Sequence, residues 1–261
     1  MLRLSTLTLL IVLGSQPFFG QTPPASDPQA LTLAAQSVAA MTGGSTITDV
    51  TLSGNATWIV GSDTQTGTAR FMALGTDESR FDVTLPNGTR TEIRDASTGF
   101  KQGKWISVDG SSGLFGFVNC FTDAAWFFPV LGSLSGPQNT VLSYVGQETR
   151  DGAAVQHLQS YLYQTSAVPT SGPSLQKLST MNFYLDATTL LPVAITFSVY
   201  PDNSETATMP VEIDFSNYQA LNGVTVPLHI QKFSEGNLAL DFQVSSAAFN
   251  TGLQISTFAI N

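Results

Sequence analysis

Cysteine, histidine and charge are all scarce in this chain. One cysteine, Cys120, excludes an internal disulfide. Its neighbours Phe117, Val118 and Phe121 make a buried apolar thiol the simplest reading, because no base is at hand to activate it. The two histidines, His157 and His229, sit in no metal-ligand spacing such as H-E-x-x-H, so no metal or other cofactor is expected. His229 alternates onto the side of Thr225, Pro227 and Gln231, the side expected to face solvent. Charged residues make up only 11% of the chain and their balance is acidic, at −9. That balance argues against nucleic acid and anionic membrane surfaces as partners.

Catalytic motifs are missing too. The stretch Gly132-Ser133-Leu134-Ser135-Gly136 places Leu134 where a nucleophile elbow needs serine. Asp77 and Glu78 fall in a turn and lack the apolar setting that would separate their pKa values. There is no phosphate loop and no dinucleotide fingerprint. An enzyme is therefore not expected.

Long apolar runs are limited to one. Leu4 to Leu13, preceded by Arg3 and followed by Gly14 and Pro17, reads as the core of a secretory signal peptide over residues 1–20, cut after Gly20 or, failing that, after Ala25. The run is too short to span a bilayer, and no cysteine near the cut could carry a lipid. The expected product is a monomer with no integral membrane segment, located in the periplasm or secreted.

What the sequence does contain is alternation. After a Pro-rich spacer at 21–26, Asp27 and Pro28 start a helix whose apolar stripe is Leu31, Ala34, Ala35, Val38 and Met41; Gly43 and Gly44 stop it. From Ile47 the period becomes two. Phe81, Val83 and Leu85 lead to a turn at Asn87-Gly88, and Thr89, Thr91 and Ile93 return with Arg90, Glu92 and Arg94 on the other side, a hairpin with one wet face. Asp151-Gly152 joins Val141–Thr149 to Val155–Tyr163. The row Val224, Val226, Leu228 and Ile230 turns at Glu235 to Asn237 and returns as Leu238, Leu240, Phe242 and Val244. Ten or eleven strands joined by short turns predict a mainly β fold: an antiparallel meander curling into a half-barrel or barrel, a single domain over 27–261 with an N-terminal helix. The stretches 164–173 and 201–210 read as polar loops.

One segment breaks the pattern. Leu114 to Leu134 is apolar and aromatic, with Asp123 near a possible helix start, Pro129 inside and Gly132 at the end. It is either an imperfect helix lying as a lid over an apolar pocket or plain core packing.

This layout resembles the LolA/LolB/RseB-like superfamily of periplasmic proteins. The resemblance is carried by Leu190-Leu191-Pro192-Val193, by the run from Phe215 to Pro227, by the closing stretch Val244 to Gly252, and by the order of helix, meander and aromatic insertion. It implies an incomplete barrel around a helix, with a lid over a cavity that takes acyl chains. In the lipoprotein carriers an early-strand arginine latches that lid; here Gly75 to Asp77 carries none. The implied role is non-enzymatic binding of a hydrophobic ligand, a lipid or a lipidated protein, at Phe117, Phe121, Trp126, Phe127, Phe128 and Leu131. The alternative is an interaction or sensor module of the cell envelope whose cavity is filled by its own side chains.

Overall fold

The computed structural model describes residues 24–137, 139–163, 174–201 and 207–260. The expected signal peptide at 1–20, residues 21–23 of the spacer, the loop at 164–173 and residues 202–206 lie outside the described residues.

Helix α1 spans Pro28–Thr42. The Asp27 carboxylate accepts the Gln29 amide at 2.7 Å, Pro28 occupies the first turn where no amide is needed, and Gly43 ends the helix with φ +61°. Its buried face is Ala30, Ala34, Ser37 and Met41, whereas Leu31 of the expected stripe is 46% exposed. Small residues take the inner positions because α1 packs closely against other elements of the chain.

The strands are β1 (Asp49–Val60), β2 (Asp63–Leu74), β3 (Glu78–Leu85), β4 (Gly88–Asp95), β5 (Gln102–Ile106), β6 (Ser112–Leu114), β7 (Thr140–Arg150), β8 (Ala153–Leu162), β9 (Met181–Asp186), β10 (Pro192–Val199), β11 (Met209–Leu221), β12 (Val224–Ser234) and β13 (Asn237–Phe249). A single turn of helix, α2 (Leu175–Ser179), precedes β9. Two short strands exceed the expected count, β5 and β6, whose Gly-rich and polar stretches carry no apolar alternation. The turns at Asp151-Gly152, Asn222-Gly223 and Glu235-Gly236 have positive φ at both residues, the hairpin geometry that matches strand twist.

The 13 strands of the described residues form one antiparallel sheet in the order β6-β5-β4-β3-β2-β1-β13-β12-β11-β10-β9-β8-β7. The first and last strands are thus neighbours at its centre. The sheet curls without closing, and β6 and β7 remain as its edges. Edge β6 is only three residues long, and edge β7 is partly covered where Asp27 N donates to Leu142 O (2.8 Å) and Leu142 N donates to Ser26 Oγ (3.0 Å). The concave face holds one core, built from Phe71, Phe183, Leu185, Ile195, Ile213, Ile230 and Phe242 among others, with α1 packed against β7 and β12. A second, small cluster on the convex face joins Met72 and Ile93 to Phe258 of the C-terminal 3₁₀ turn (Ile255–Phe258).

The segment that breaks the alternation is the connection from edge β6 to edge β7. It crosses the concave face, and so it cannot itself be a strand of the sheet. The imperfect helix expected there takes the form of separate 3₁₀ turns at Phe117–Cys120, Pro129–Leu131 and Ser133–Ser135. Phe128, before Pro129, is held at φ −144° and ψ 82°, outside the helical region as a residue before proline tends to be, and Gly132 and Gly136 each end a turn after it.

Candidate functional site

The pairing of β3 with β4 decides the character of the concave face. Phe81 lies opposite Glu92, Val83 opposite Arg90, and Ser79 opposite Arg94. Directly opposed residues share a face, so Arg90, Glu92 and Arg94 point inward with Phe81 and Val83. This corrects the expected single wet face, and the turn falls at Pro86-Asn87, one residue early. The convex side takes Ile93 of β4 and Met72 of β2, which the C-terminal turn covers. Lys232 joins the inward group from the opposite direction. It continues the row Val224, Val226, Leu228, Ile230 and pairs with Ile213 and Leu240, both fully buried.

Together these side chains line a cleft of about 520 Å³ at one end of the concave face. Its apolar walls are Trp58, Phe81, Trp126, Phe197 and Val211, with Phe115 and Asn119 from the crossing segment. Arg90 lies over the Trp58 ring at 4.3 Å and donates to Glu92 at 3.3 Å; Arg94 lies over Phe115 at 5.3 Å; Lys232 Nζ is 5.1 Å from the Trp126 ring. Burial pushes the Lys232 pKa down, Glu92 pulls it back up, and Arg94 and Arg90 push it down again.

The crossing segment is strapped to both halves of the sheet at Asn119. Its carbonyl accepts a hydrogen bond from Arg94 of β4, and its side chain pairs reciprocally with the backbone of Tyr200 after β10, at 2.8 and 2.7 Å. Further along, the Asp123 carboxylate accepts from Ser133 N (2.8 Å) and Ser133 Oγ (2.6 Å); burial raises its pKa against these hydrogen bonds. A Cβ at Gly132 would stand 2.2 Å from Asp123 Oδ2, so a larger residue there would have to displace that carboxylate.

The six aromatic and aliphatic residues singled out from sequence are placed in three environments. Trp126 is 7% exposed and walls the cleft. Phe127, Phe128 and Leu131 are buried in the closed core, where Phe127 meets Phe71 edge-on at 5.2 Å. Phe117 and Phe121, 4.8 Å apart, line a separate depression of about 370 Å³ on the far side of the segment, with Phe100 and Asp123. Sequence reasoning missed Trp58, Arg90, Arg94, Phe197 and Lys232. The parity of a two-residue β3–β4 turn and the period of β12 were the signals that pointed to the three cations.

The histidines lie on the convex face. His157 is nearly buried between Glu148 (2.6 Å) and Asn182 (3.0 Å) and stacks on Tyr184, while His229 bonds Asp241 at 2.9 Å. Cys120 is a buried thiol, its nearest polar partner the Gly116 carbonyl at 3.9 Å.

No protein-family model and no curated protein sequence matches the chain. Solved structures do. A domain named for outer membrane lipoprotein sorting, from Vibrio parahaemolyticus, is similar at a TM-score of 0.54 with 14% identity, covering 88% of this chain and 96% of that one. A DUF1329 family protein from Desulfovibrio piger follows at 0.53 and 11%, covering 90% and 98%. A LolA superfamily protein from Nitrosomonas europaea stands at 0.53 and 9%, covering 88% and 97%. At these identities the likeness is one of fold: this chain has the fold of LolA-superfamily proteins.

Proposed function

We propose that this is an exported binding protein, active as a monomer in the periplasm or outside the cell, that holds a hydrophobic ligand, a lipid or a lipidated partner, between the concave sheet and the crossing segment. The observation that carries this reading is the aromatic-walled cleft of about 520 Å³, a size suited to a small ligand, roofed by the aromatic segment that crosses the sheet. The shared fold with a lipoprotein-sorting domain supports it, as does the apolar run at Leu4–Leu13 for export.

Within the crossing segment the binding role falls to Trp126, and Phe127, Phe128 and Leu131 hold the segment down. The test is native mass spectrometry and lipid extraction of purified protein, together with displacement of a neutral fluorescent acyl probe. Trp126→Ala should weaken probe binding. Phe128→Ala should lower stability by about 3–5 kcal/mol, as for other large-to-small core changes, with little effect on the affinity of the folded fraction.

The complete burial of Phe127 and Phe128 favours a second reading, an interaction or sensor module whose interior is self-filled. Absence of co-purified lipid together with no binding of the acyl probe would decide for it.

A further inference from the structure

Cations are rare in this acidic chain, ten lysines and arginines against nineteen carboxylates, yet three of the ten line one cleft. Among the described lining residues Glu92 is the sole carboxylate, and Arg90 already engages it at 3.3 Å. No carboxylate of the described residues forms an ion pair with Lys232 or Arg94. Arg90 Nε is buried without a hydrogen-bond partner.

A half-buried ammonium among Ile213, Leu240 and Trp126 is an unfavourable use of an inward sheet position. A methionine or leucine would continue the row at less cost in desolvation. The positive charges also face one another across the cleft, which adds repulsion that a single carboxylate does not cancel. A ligand with the opposite charge would remove both penalties. A purely apolar ligand would leave them in place and bury the charges further.

We propose that the cleft is selective for an anionic amphiphile: an apolar chain lying against Phe81, Trp126 and Phe197, with a carboxylate or phosphate head held by Lys232 and Arg90. This inference rests on the cleft being the ligand site. Arg94 contributes charge while its guanidinium remains committed to the Asn119 carbonyl.

The experiment uses the purified protein at neutral pH with N-phenylnaphthylamine, an uncharged fluorescent probe, displaced by lauric acid, lauryl phosphate or lauryl alcohol. The acid, the phosphate or both should compete about tenfold or more better than the alcohol, the effect of a charge-assisted hydrogen bond in a partly buried site. Which of the two wins identifies the head group as carboxylate or phosphate. Lys232→Met should abolish that advantage, so that within the variant the acid and the phosphate compete no better than the alcohol. Arg90→Gln, made in parallel, serves if the first variant fails to give the parent's cooperative thermal unfolding. Equal competition by all three compounds overturns the charge selectivity and leaves the cleft reading intact. An advantage undiminished in both variants also overturns it. Failure of the probe and of every lauryl compound to bind removes the cleft reading itself.

Discussion

Glu78 opens β3 with a carboxylate that is only 7% exposed. Burial raises its pKa to about 7, against the help of the Ala96 amide, which both carboxylate oxygens accept at 3.2 Å; Asp95 and Asp77 raise it further and Lys101 lowers it. The folded state therefore holds this proton more tightly than the unfolded chain does. The resulting stabilisation is complete below the unfolded value of 4.5 and is lost as pH rises towards 7. Glu78→Gln keeps an acceptor for Ala96 and carries no charge. It should be more stable than the parent at mildly alkaline pH by about 1 kcal/mol, a figure reduced for solvent screening, and the difference should vanish in acid. Urea denaturation of both proteins at the two pH values checks this, and a constant difference across pH would count against it. Asp49 behaves in the opposite sense. Burial pushes it up, but hydrogen bonds from Thr251 N, Gly252 N and Thr251 Oγ1 outweigh burial and hold its pKa below the usual 3.8, so its contribution is present above that value and is lost as pH falls below it.

At the scale of elements, the strap at Asn119 is the point where a short, irregular connection is tied to two halves of a sheet. Asn119→Ala removes both side-chain bonds to Tyr200 and leaves the carbonyl that Arg94 uses. The sheet should remain folded while residues 115–121 exchange amide hydrogens faster and probe enters and leaves the cleft more quickly, with unfolding free energy lowered by about 1–3 kcal/mol. Hydrogen exchange and stopped-flow fluorescence read the two effects separately. The elements themselves were largely legible in the sequence: Asp27, Pro28 and Gly43 bound the helix, and period-two rows with Asp-Gly or Asn-Gly turns marked the strands. The inward charge of β4 was misread, because Ile93 looks like core and Arg94 like surface, although the parity of a two-residue turn already sets the arginines beside Phe81 and Val83. Phe258, far along the chain, explains how Ile93 can lie on the outer face: it covers Ile93 there. The sequence could not reveal that one tryptophan of the aromatic run would wall a cleft while its two neighbours sealed a core. Exposure there depends on a crossing path that no local period encodes.

For the whole molecule, the sheet order makes β1 and β13 its centre and the middle of the chain its two edges. Val50 pairs with Phe249, and Thr48 N reaches Asn250 Oδ1 across 202 residues. A chain ending after Gly236 would lack the strand that joins the halves. It should lose cooperative unfolding altogether instead of retaining half of its structure, because β1 and β12 would each present a long unpaired edge. Thermal melts followed by circular dichroism distinguish a lost transition from a weakened one.

That same central pairing bears on time as much as on strength. Hairpins such as β3–β4 and β7–β8 can close locally within microseconds, whereas the seam between β1 and β13 has to wait until two segments at opposite ends of the described chain meet. Refolding should thus show fast formation of local sheet and then a slow, concerted gain of core fluorescence. A polypeptide emerging in order from a ribosome or a translocation pore stays open along that seam until its final strand arrives.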